Sequence, residues 1–454
     1  MVHSVSVSET RENSILEGPI ARRMALFALP LALSSILQQF FNSADVATVG
    51  HFAGSTSLAA VGANVANVGV FVNFIVGASI GPNVIIARLI GLGKKDEVNA
   101  SIHAILGFAI VFGLVLMGFG ELITGALLSL SDTPQEVYPL AESYFRIYLL
   151  GVPFMVWYNF AASIQRSHGD TSTPLVCMII SGITNVILNL VFVVGFHLDT
   201  AGVAIATSIS NALSAWLITR KMMKEEEPYH FDFHRLHLNP EVSRRTMITG
   251  FPAGLQMAVF SISNMFIQTA INHFGSFAIA GSSAALNFEY FAYDLAVAFA
   301  QAAVTWYSQN YGAGNLDRCK ASFRIAMIEG IGSAELLSLI FLAGGSMFVK
   351  FYTSDPQVIA FALEREKYVL SLEGFTGTYE ITAGVLRSRG ANLTPSVITI
   401  IGTVVFRILW LLTIYRADPT FATLMTVYPI SWFLTFFALY YAYRKSLKNP
   451  TAVK

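Results

Sequence analysis

Residues 30–50 read PLALSSILQQFFNSADVATVG, an apolar stretch that is long enough to cross a bilayer as a helix and holds a single carboxylate, Asp45. An ionised Asp in the middle of a membrane helix costs about 2.5–3.5 kcal/mol on insertion scales, so such a residue faces a wet cavity or a polar partner. The stretch therefore decides two things. The chain is built from membrane helices, and Asp45 is a candidate functional residue.

The whole chain agrees. Of its 454 residues 54% are hydrophobic and 12% are charged, against about 25% charged in soluble domains. The formal net charge is zero, and the charges cluster between the apolar runs, so no footprint for nucleic acid appears. Two cysteines, Cys177 and Cys319, are too few for a disulfide framework and are expected as free thiols. The opening MVHSVSVSETRENSILEGPI has no apolar core ending in a small-residue cleavage site, so the first membrane helix is expected to direct insertion.

Apolar runs long enough to span fall near 24–49, 57–86, 98–125, 138–162, 174–196, 200–220, 246–272, 277–308, 321–349, 359–385, 395–415 and 420–443. These predict twelve membrane helices, since about 20 helical residues cross the hydrocarbon layer. Short turns are expected at Asp132-Thr133-Pro134 and Asp355-Pro356. Lys and Arg occupy every second loop, for example Arg88, Lys94 and Lys95, then Arg166, then Arg220 to Arg245. Because cytoplasmic loops carry the excess of these residues, the alternation places both termini in the cytoplasm.

The chain also repeats itself. Pro30 recurs as Pro252 and His51-Phe52 as His273-Phe274, both at an offset of 222 (252 − 30; 273 − 51). Arg166-Ser-His-Gly-Asp-Thr-Ser-Thr-Pro174 recurs as Arg387-Ser-Arg-Gly-Ala-Asn-Leu-Thr-Pro395, with five of nine positions identical. An even number of spans per copy gives parallel repeats related by an axis along the membrane normal. The predicted fold is an all-α integral membrane protein of two six-helix bundles. Its parts are an N-terminal segment 1–21, an N-lobe 22–220, a linker 221–243 read as a solvated connector, a C-lobe 244–444 and a tail 445–454.

Several chemistries are absent from the pattern. Gly91-Leu-Gly93-Lys94-Lys95 lacks the first glycine and the Ser/Thr of a phosphate-binding loop, so ATP is not expected to drive the protein. Gly77-Ala-Ser79-Ile-Gly81 matches a hydrolase pattern, but it sits in an apolar span without the strand and turn that expose such a serine. Close helix packing through its two glycines is the expected role. No Cys/His cluster or zinc motif occurs, and no cofactor is expected. Two bundles with buried carboxylates and no ATPase motif describe a secondary transporter.

Asn42-Ser-Ala-Asp45-Val-Ala-Thr-Val-Gly50, Arg166-Ser-x-Gly169 with Pro174, and the repeat of the latter at Arg387 resemble the multidrug and toxic compound extrusion (MATE) family over nearly the whole chain. The resemblance implies a V-shaped protein whose lobes enclose a central cavity and which exports organic, often cationic, compounds in exchange for H⁺ or Na⁺. It implies a cation site at Asp45, Asn185, Asn189 and Thr207. Spacing supports part of this independently, because Asn185 and Asn189 lie i,i+4 on one helical face. Some members carry an Asp where this chain has Asn189, so Asp45 is left as the sole acid. Both H⁺ and Na⁺ remain open as the coupling ion, and Na⁺ at Asp45 is the only metal expected.

For the C-lobe, part of the family that the chain resembles has a second coupling or substrate site built from acids on the seventh and tenth spans, a pair that is incomplete here. The tenth span supplies Glu373 and Glu380, seven residues apart and thus on one face about 10 Å apart along an α-helix. The seventh offers Gln256 and Gln268 but no acid. Glu373 or Glu380 attracts a cationic cargo, or else pairs with Arg407 on the next span. The eighth span interleaves Glu289, Tyr290, Tyr293 and Asp294, and aromatic faces suit an organic cation. Because Glu289 and Asp294 are about 140° apart around a helix, at most one of them faces the cavity. Tyr144, Tyr148, Trp157 and Tyr158 line the N-lobe or form an interfacial belt.

The expected function is a cation-coupled exporter, acting as a monomer in the cell (inner) membrane on small organic molecules. A lipid-linked oligosaccharide flippase is the alternative, with Arg146 and Arg407 as the arginines available deep in spans for phosphate. A membrane-embedded enzyme is the third reading.

Overall fold

The computed structural model describes residues 15–131 and 133–448. Asp132 of the expected turn, residues 1–14 of the N-terminal segment and 449–454 of the tail lie outside the described residues. Among the described residues the fold is helical throughout, with no strand. The main helices are α1 (Ile20–Phe52), α2 (Gly54–Ala78), α3 (Ile80–Gly91), α4 (Lys95–Leu130), α5 (Tyr138–Leu150), α6 (Val152–His168), α7 (Ser172–Asn189), α8 (Asp199–Met222), α9 (Pro240–Asn272), α10 (Ser276–Gly312), α11 (Leu316–Gly344), α12 (Pro356–Tyr368), α13 (Thr376–Ser388), α14 (Leu393–Thr399), α15 (Phe406–Leu412) and α16 (Phe421–Lys448).

Nine helical stretches among the described residues are long and apolar enough to cross a membrane, and the pair α5 and α6, bent by 43°, makes a tenth. Large apolar side chains such as Leu122, Leu130 and Phe351 are more than four-fifths exposed. In water such a surface would be a liability; against lipid tails it is the solvated face.

The chain divides into two compact units. One comprises residues 1–32 and 255–454, the other residues 33–254. Each division falls inside a helix, two residues beyond Pro30 in α1 and two beyond Pro252 in α9. Proline has no N–H for the carbonyl of residue i−4. Both helices therefore lack one ladder bond just before the point at which the chain passes from one unit to the other.

In the unit 33–254, the core gathers Phe71, Ile75, Ile102, Phe145, Val156 and Phe160 from α2 to α6. Here the two glycines of the hydrolase-like pattern have their use. A Cβ on Gly77 would lie 2.6 Å from the Ala253 carbonyl oxygen, and one on Gly81 would lie 2.6 Å from that of Thr246. Only glycine lets α2 and α3 approach the first half of α9 so closely. Ser79 between them is buried, and its hydroxyl donates to the Val76 carbonyl at 2.7 Å.

The linker is more than a solvated connector. Phe231 is fully buried against His103 and Trp157, and Asn99 Nδ2 donates to the carbonyls of Pro228 and His230. His103 Nδ1 donates to the Asn99 carbonyl, while its Nε2 accepts from the backbone N–H of Asp232 at 3.0 Å. The charge pattern alone hid this packing, because the anchoring residue is one aromatic inside a polar run. Trp157 accordingly packs on the linker and donates to Thr219 Oγ1, rather than lining a cavity.

In the other unit, residues 15–32 pack with α9 beyond residue 254 and with α10, α11, α13 and α16 around Trp306, Tyr307, Tyr311 and Met24. Asp355 opens α12 as its N-cap, its carboxylate accepting from the N–H groups of Gln357 and Val358. Cys177 and Cys319 are both buried and free.

Candidate functional site

The unit 33–254 brings Asp45, Asn185, Asn189 and Thr207 together from three helices. Asn185 and Asn189 stand one turn apart at the end of α7, which passes straight into a π-helical turn, Leu190–Gly195. Such wide turns are frequent at functional sites. Asn189 Nδ2 donates to Asp45 Oδ1 at 2.5 Å and to Asn185 Oδ1 at 3.3 Å. Asn185 Nδ2 donates in turn to Thr207 Oγ1 at 3.3 Å, and the threonine hydroxyl donates to the Val203 carbonyl at 2.9 Å. Asn185 and Asn189 are buried, whereas Asp45 and Thr207 are half-buried.

Asn189 Oδ1 is buried without a partner. The cluster thus offers one carboxylate, an idle amide oxygen and further neutral oxygens. That set suits either a proton on Asp45 or a hard cation held by oxygen alone. Tyr144 and Tyr148, buried and stacked with centroids 6.3 Å apart, lie within range of the Asp45 charge.

The second constellation lies wholly within residues 255–454. Glu289 on α10 and Arg365 on α12 form a buried two-pronged ion pair, with Nε to Oε1 at 2.7 Å and Nη2 to Oε2 at 2.8 Å. Beside it a cavity is lined by Asn264, Glu289, Tyr290, Tyr293, Glu373 and Arg407, among others. The Tyr428 ring carries two guanidinium groups, Arg365 at 5.5 Å and Arg407 at 4.5 Å from its centroid.

Other expected positions fall elsewhere. Asp294 does not line this cavity. Glu373 and Glu380 do not stand on one continuous α-helix: the chain kinks at Leu372 (φ −135°, ψ 15°), and Glu373 sits in a 3₁₀ segment, Leu370–Phe375, before α13 begins. Glu380 accepts from the Tyr293 hydroxyl at 3.4 Å. Gln256 is buried and accepts from Arg387 Nη2 at 2.5 Å, so it holds the repeat arginine rather than the cavity. Arg407 has no ion pair with Glu373 or Glu380. Arg146 is 44% exposed on the side-chain scale and pairs with Glu121 and Glu142 at 2.6 and 2.8 Å.

Sequence reasoning missed Arg365 and Tyr428. The arginine had a signal, a base within the span 359–385, which by the cost of intramembrane charge should have been paired with a named acid. Tyr428 had none, because a tyrosine in an apolar run is ordinary.

A family model described as MatE matches residues 30–191 and 252–412. The two matches begin 222 residues apart (252 − 30) and end 221 apart (412 − 191), the offsets of the internal repeat. Among characterised sequences, the chain is 27% identical over 394 residues to the probable multidrug resistance protein YpnP of Bacillus subtilis, covering 86% of this chain and 87% of that one. It is 22% identical to the multidrug export protein MepA of Staphylococcus haemolyticus, covering 96% of each. Among solved structures, the Vibrio cholerae MATE transporter VcmN in its bent form superposes with a TM-score of 0.85 at 21% identity, over 96% of this chain and 98% of that one.

Proposed function

This chain belongs to the MatE family, a family of transporters rather than enzymes, and on that premise we propose that it is a secondary antiporter exporting organic compounds in exchange for H⁺ or Na⁺. The names of its relatives support drug export. The observation that carries the coupling is the contact of Asp45 with Asn189 inside an otherwise apolar set of helices, extended by Asn185 and Thr207.

In this reading the cation binds at Asp45 and neutralises it. The amide and hydroxyl groups around it then repack, the affinity for cargo falls, and the cargo leaves on the far side. Alternating access returns the empty site inward, where the cation departs. Coupling of this kind requires that cation and cargo prefer different states of the protein.

Twelve spans belong to the same proposal. Besides the ten apolar stretches, α10 with its 37 residues and the broken run α12 to α13 would also cross, giving six spans per repeat. The Lys- and Arg-rich loops and both termini would then face the cytoplasm, with the protein in the cell membrane as a monomer. The flippase reading has less support, since Arg146 is already paired with Glu121 and Glu142.

The test uses purified protein in liposomes loaded with a fluorescent organic cation, under separately imposed pH and Na⁺ gradients. One gradient should drive efflux, which identifies the coupling ion, and Asp45→Asn should abolish it. Gradient-driven efflux by Asp45→Asn, inserted at the wild-type level, would sink the mechanism.

A further inference from the structure

In the cavity within residues 255–454, two buried donors lack acceptors. Arg407, 1% exposed, donates from Nε to Ser431 Oγ at 3.3 Å and from Nη1 to Asn264 Oδ1 at 3.2 Å, both neutral oxygens at long range. Its Nη2 has no partner, and neither does the hydroxyl of Tyr379, also 1% exposed. Both residues line the same cavity. A guanidinium has five donors, and each buried one left idle costs about as much as a lost hydrogen bond.

The charges around it sharpen the point. Arg365 is neutralised by Glu289, but among the described residues neither Arg407 nor Glu373 has an ion-pair partner within 4.0 Å. Arg407 instead lies against the faces of Tyr428 and Phe260, at 4.5 and 5.1 Å. The cavity thus presents a base and an acid that are not in contact as an ion pair, with the aromatic surfaces of Tyr290, Tyr293 and Trp432 in the same lining. Its volume is about 100 Å³, below the roughly 300 Å³ at which pockets for whole drug-sized molecules begin. It is sized for the charged end of a cargo.

The internal repeat shows that the two copies are differently equipped. Up to Arg387 the offset to the first copy is 221 (387 − 166). Ile267 is the counterpart of Asp45 (267 − 45). The second copy therefore has no acid where Asp45 stands in the first.

We infer that Arg407 and Tyr379 bind a carboxylate or similar single anionic group of the cargo, so that this unit selects aromatic zwitterions over simple cations. The inference rests on the export reading. The planar body of such a cargo is larger than the cavity and stays outside it.

The test compares an aminoxanthene dye bearing a free benzoate with the methyl ester of the same dye, which keeps the delocalised cation and loses the anion. Equilibrium binding of both to the purified protein in detergent is measured by fluorescence anisotropy, and efflux of both from liposomes is followed in parallel. Arg407→Gln should lower the acid-to-ester affinity ratio about tenfold, the scale of one charged hydrogen bond, and Arg407→Lys should restore part of it.

Asn264→Asp guards against misfolding, because it leaves the arginine and the shape in place but supplies a carboxylate to Nη1. It should lower the ratio in the same direction. An unchanged ratio in both Arg407→Gln and Asn264→Asp, or equal loss of both dyes, overturns the inference. Failure of wild-type liposomes to expel the ester under any gradient would instead overturn the export reading, and the binding ratio would still decide the role of Arg407.

Discussion

Glu289 and Arg365 meet in a buried two-pronged ion pair, with N···O distances of 2.7 and 2.8 Å, and the Arg365 guanidinium also lies 5.5 Å from the centre of the Tyr428 ring. Two formal charges are thereby satisfied inside a membrane domain. Removing one strands the other. Glu289→Gln or Arg365→Met should each destabilise the protein by about 3–5 kcal/mol, whereas the double replacement by apolar residues of similar volume should recover most of that loss. Thermal unfolding in detergent of the two single variants and the double variant measures the coupling; strict additivity would contradict it.

The Asn189 amide donates to Asp45 at 2.5 Å. Asn189→Ala should therefore weaken cation-driven efflux about tenfold, the scale of one hydrogen bond to a charged group. The Kd for cargo in the absence of the coupling cation should stay unchanged, because Asn189 touches the cation site and not the cargo in this reading. Initial efflux rates as a function of cation concentration provide the check, because a role in packing alone would lower protein yield without moving the half-saturating cation concentration.

Gly77 and Gly81 face backbone atoms of α9 at distances that leave no room for a side chain. Gly77→Val should force the helices apart and cost about 1–3 kcal/mol or more, read as a fall in the monodisperse fraction on size exclusion. Gly62→Val is the control, since nothing lies within 4 Å of a Cβ placed there.

The linker carries a pH dependence of its own. Burial pushes the Glu225 carboxyl from 4.5 up to about 7, with Gln165 and Lys221 pulling weakly the other way. The packed linker therefore prefers the protonated acid. That preference is complete below pH 4.5, the carboxyl's value when unpacked, and it is lost as pH rises through about 7, because the released linker then holds fewer protons than the packed one. Hydrogen exchange over residues 223–239 should accelerate from mildly acid to mildly alkaline solution beyond the intrinsic chemical rate. Glu225→Gln, compared at each pH, should remove that excess.

How much of this was legible from residues alone differs between the two constellations. Asp45 stood out as one acid in an apolar run and the spacing of Asn185 and Asn189 put two amides on one helical face, whereas the grouping of these three with Thr207 came from the family resemblance. For Glu373 and Glu380, spacing assumes one regular α-helix, whereas Glu373 lies in a 3₁₀ segment, Leu370–Phe375, ahead of α13. The linker looked solvated because composition averages over its length, whereas one residue, Phe231, does the anchoring. Arg365 was visible as an anomalous charge, but nothing in its own span pointed to Glu289, 76 residues away.

The sequence by itself determined what depends on consecutive residues. Runs of apolar residues set the membrane class, and offsets of 221 and 222 recorded the duplication. Only the tertiary structure decided which charges cancel. Glu289 chose Arg365 rather than leaving a base free, Gln256 took Arg387, and Arg407 was left over Tyr428 with an idle donor. Those outcomes depend on distances of a few ångströms between helices far apart in the chain, where Coulomb energies and hydrogen bonds change steeply, and no periodicity along one helix encodes them.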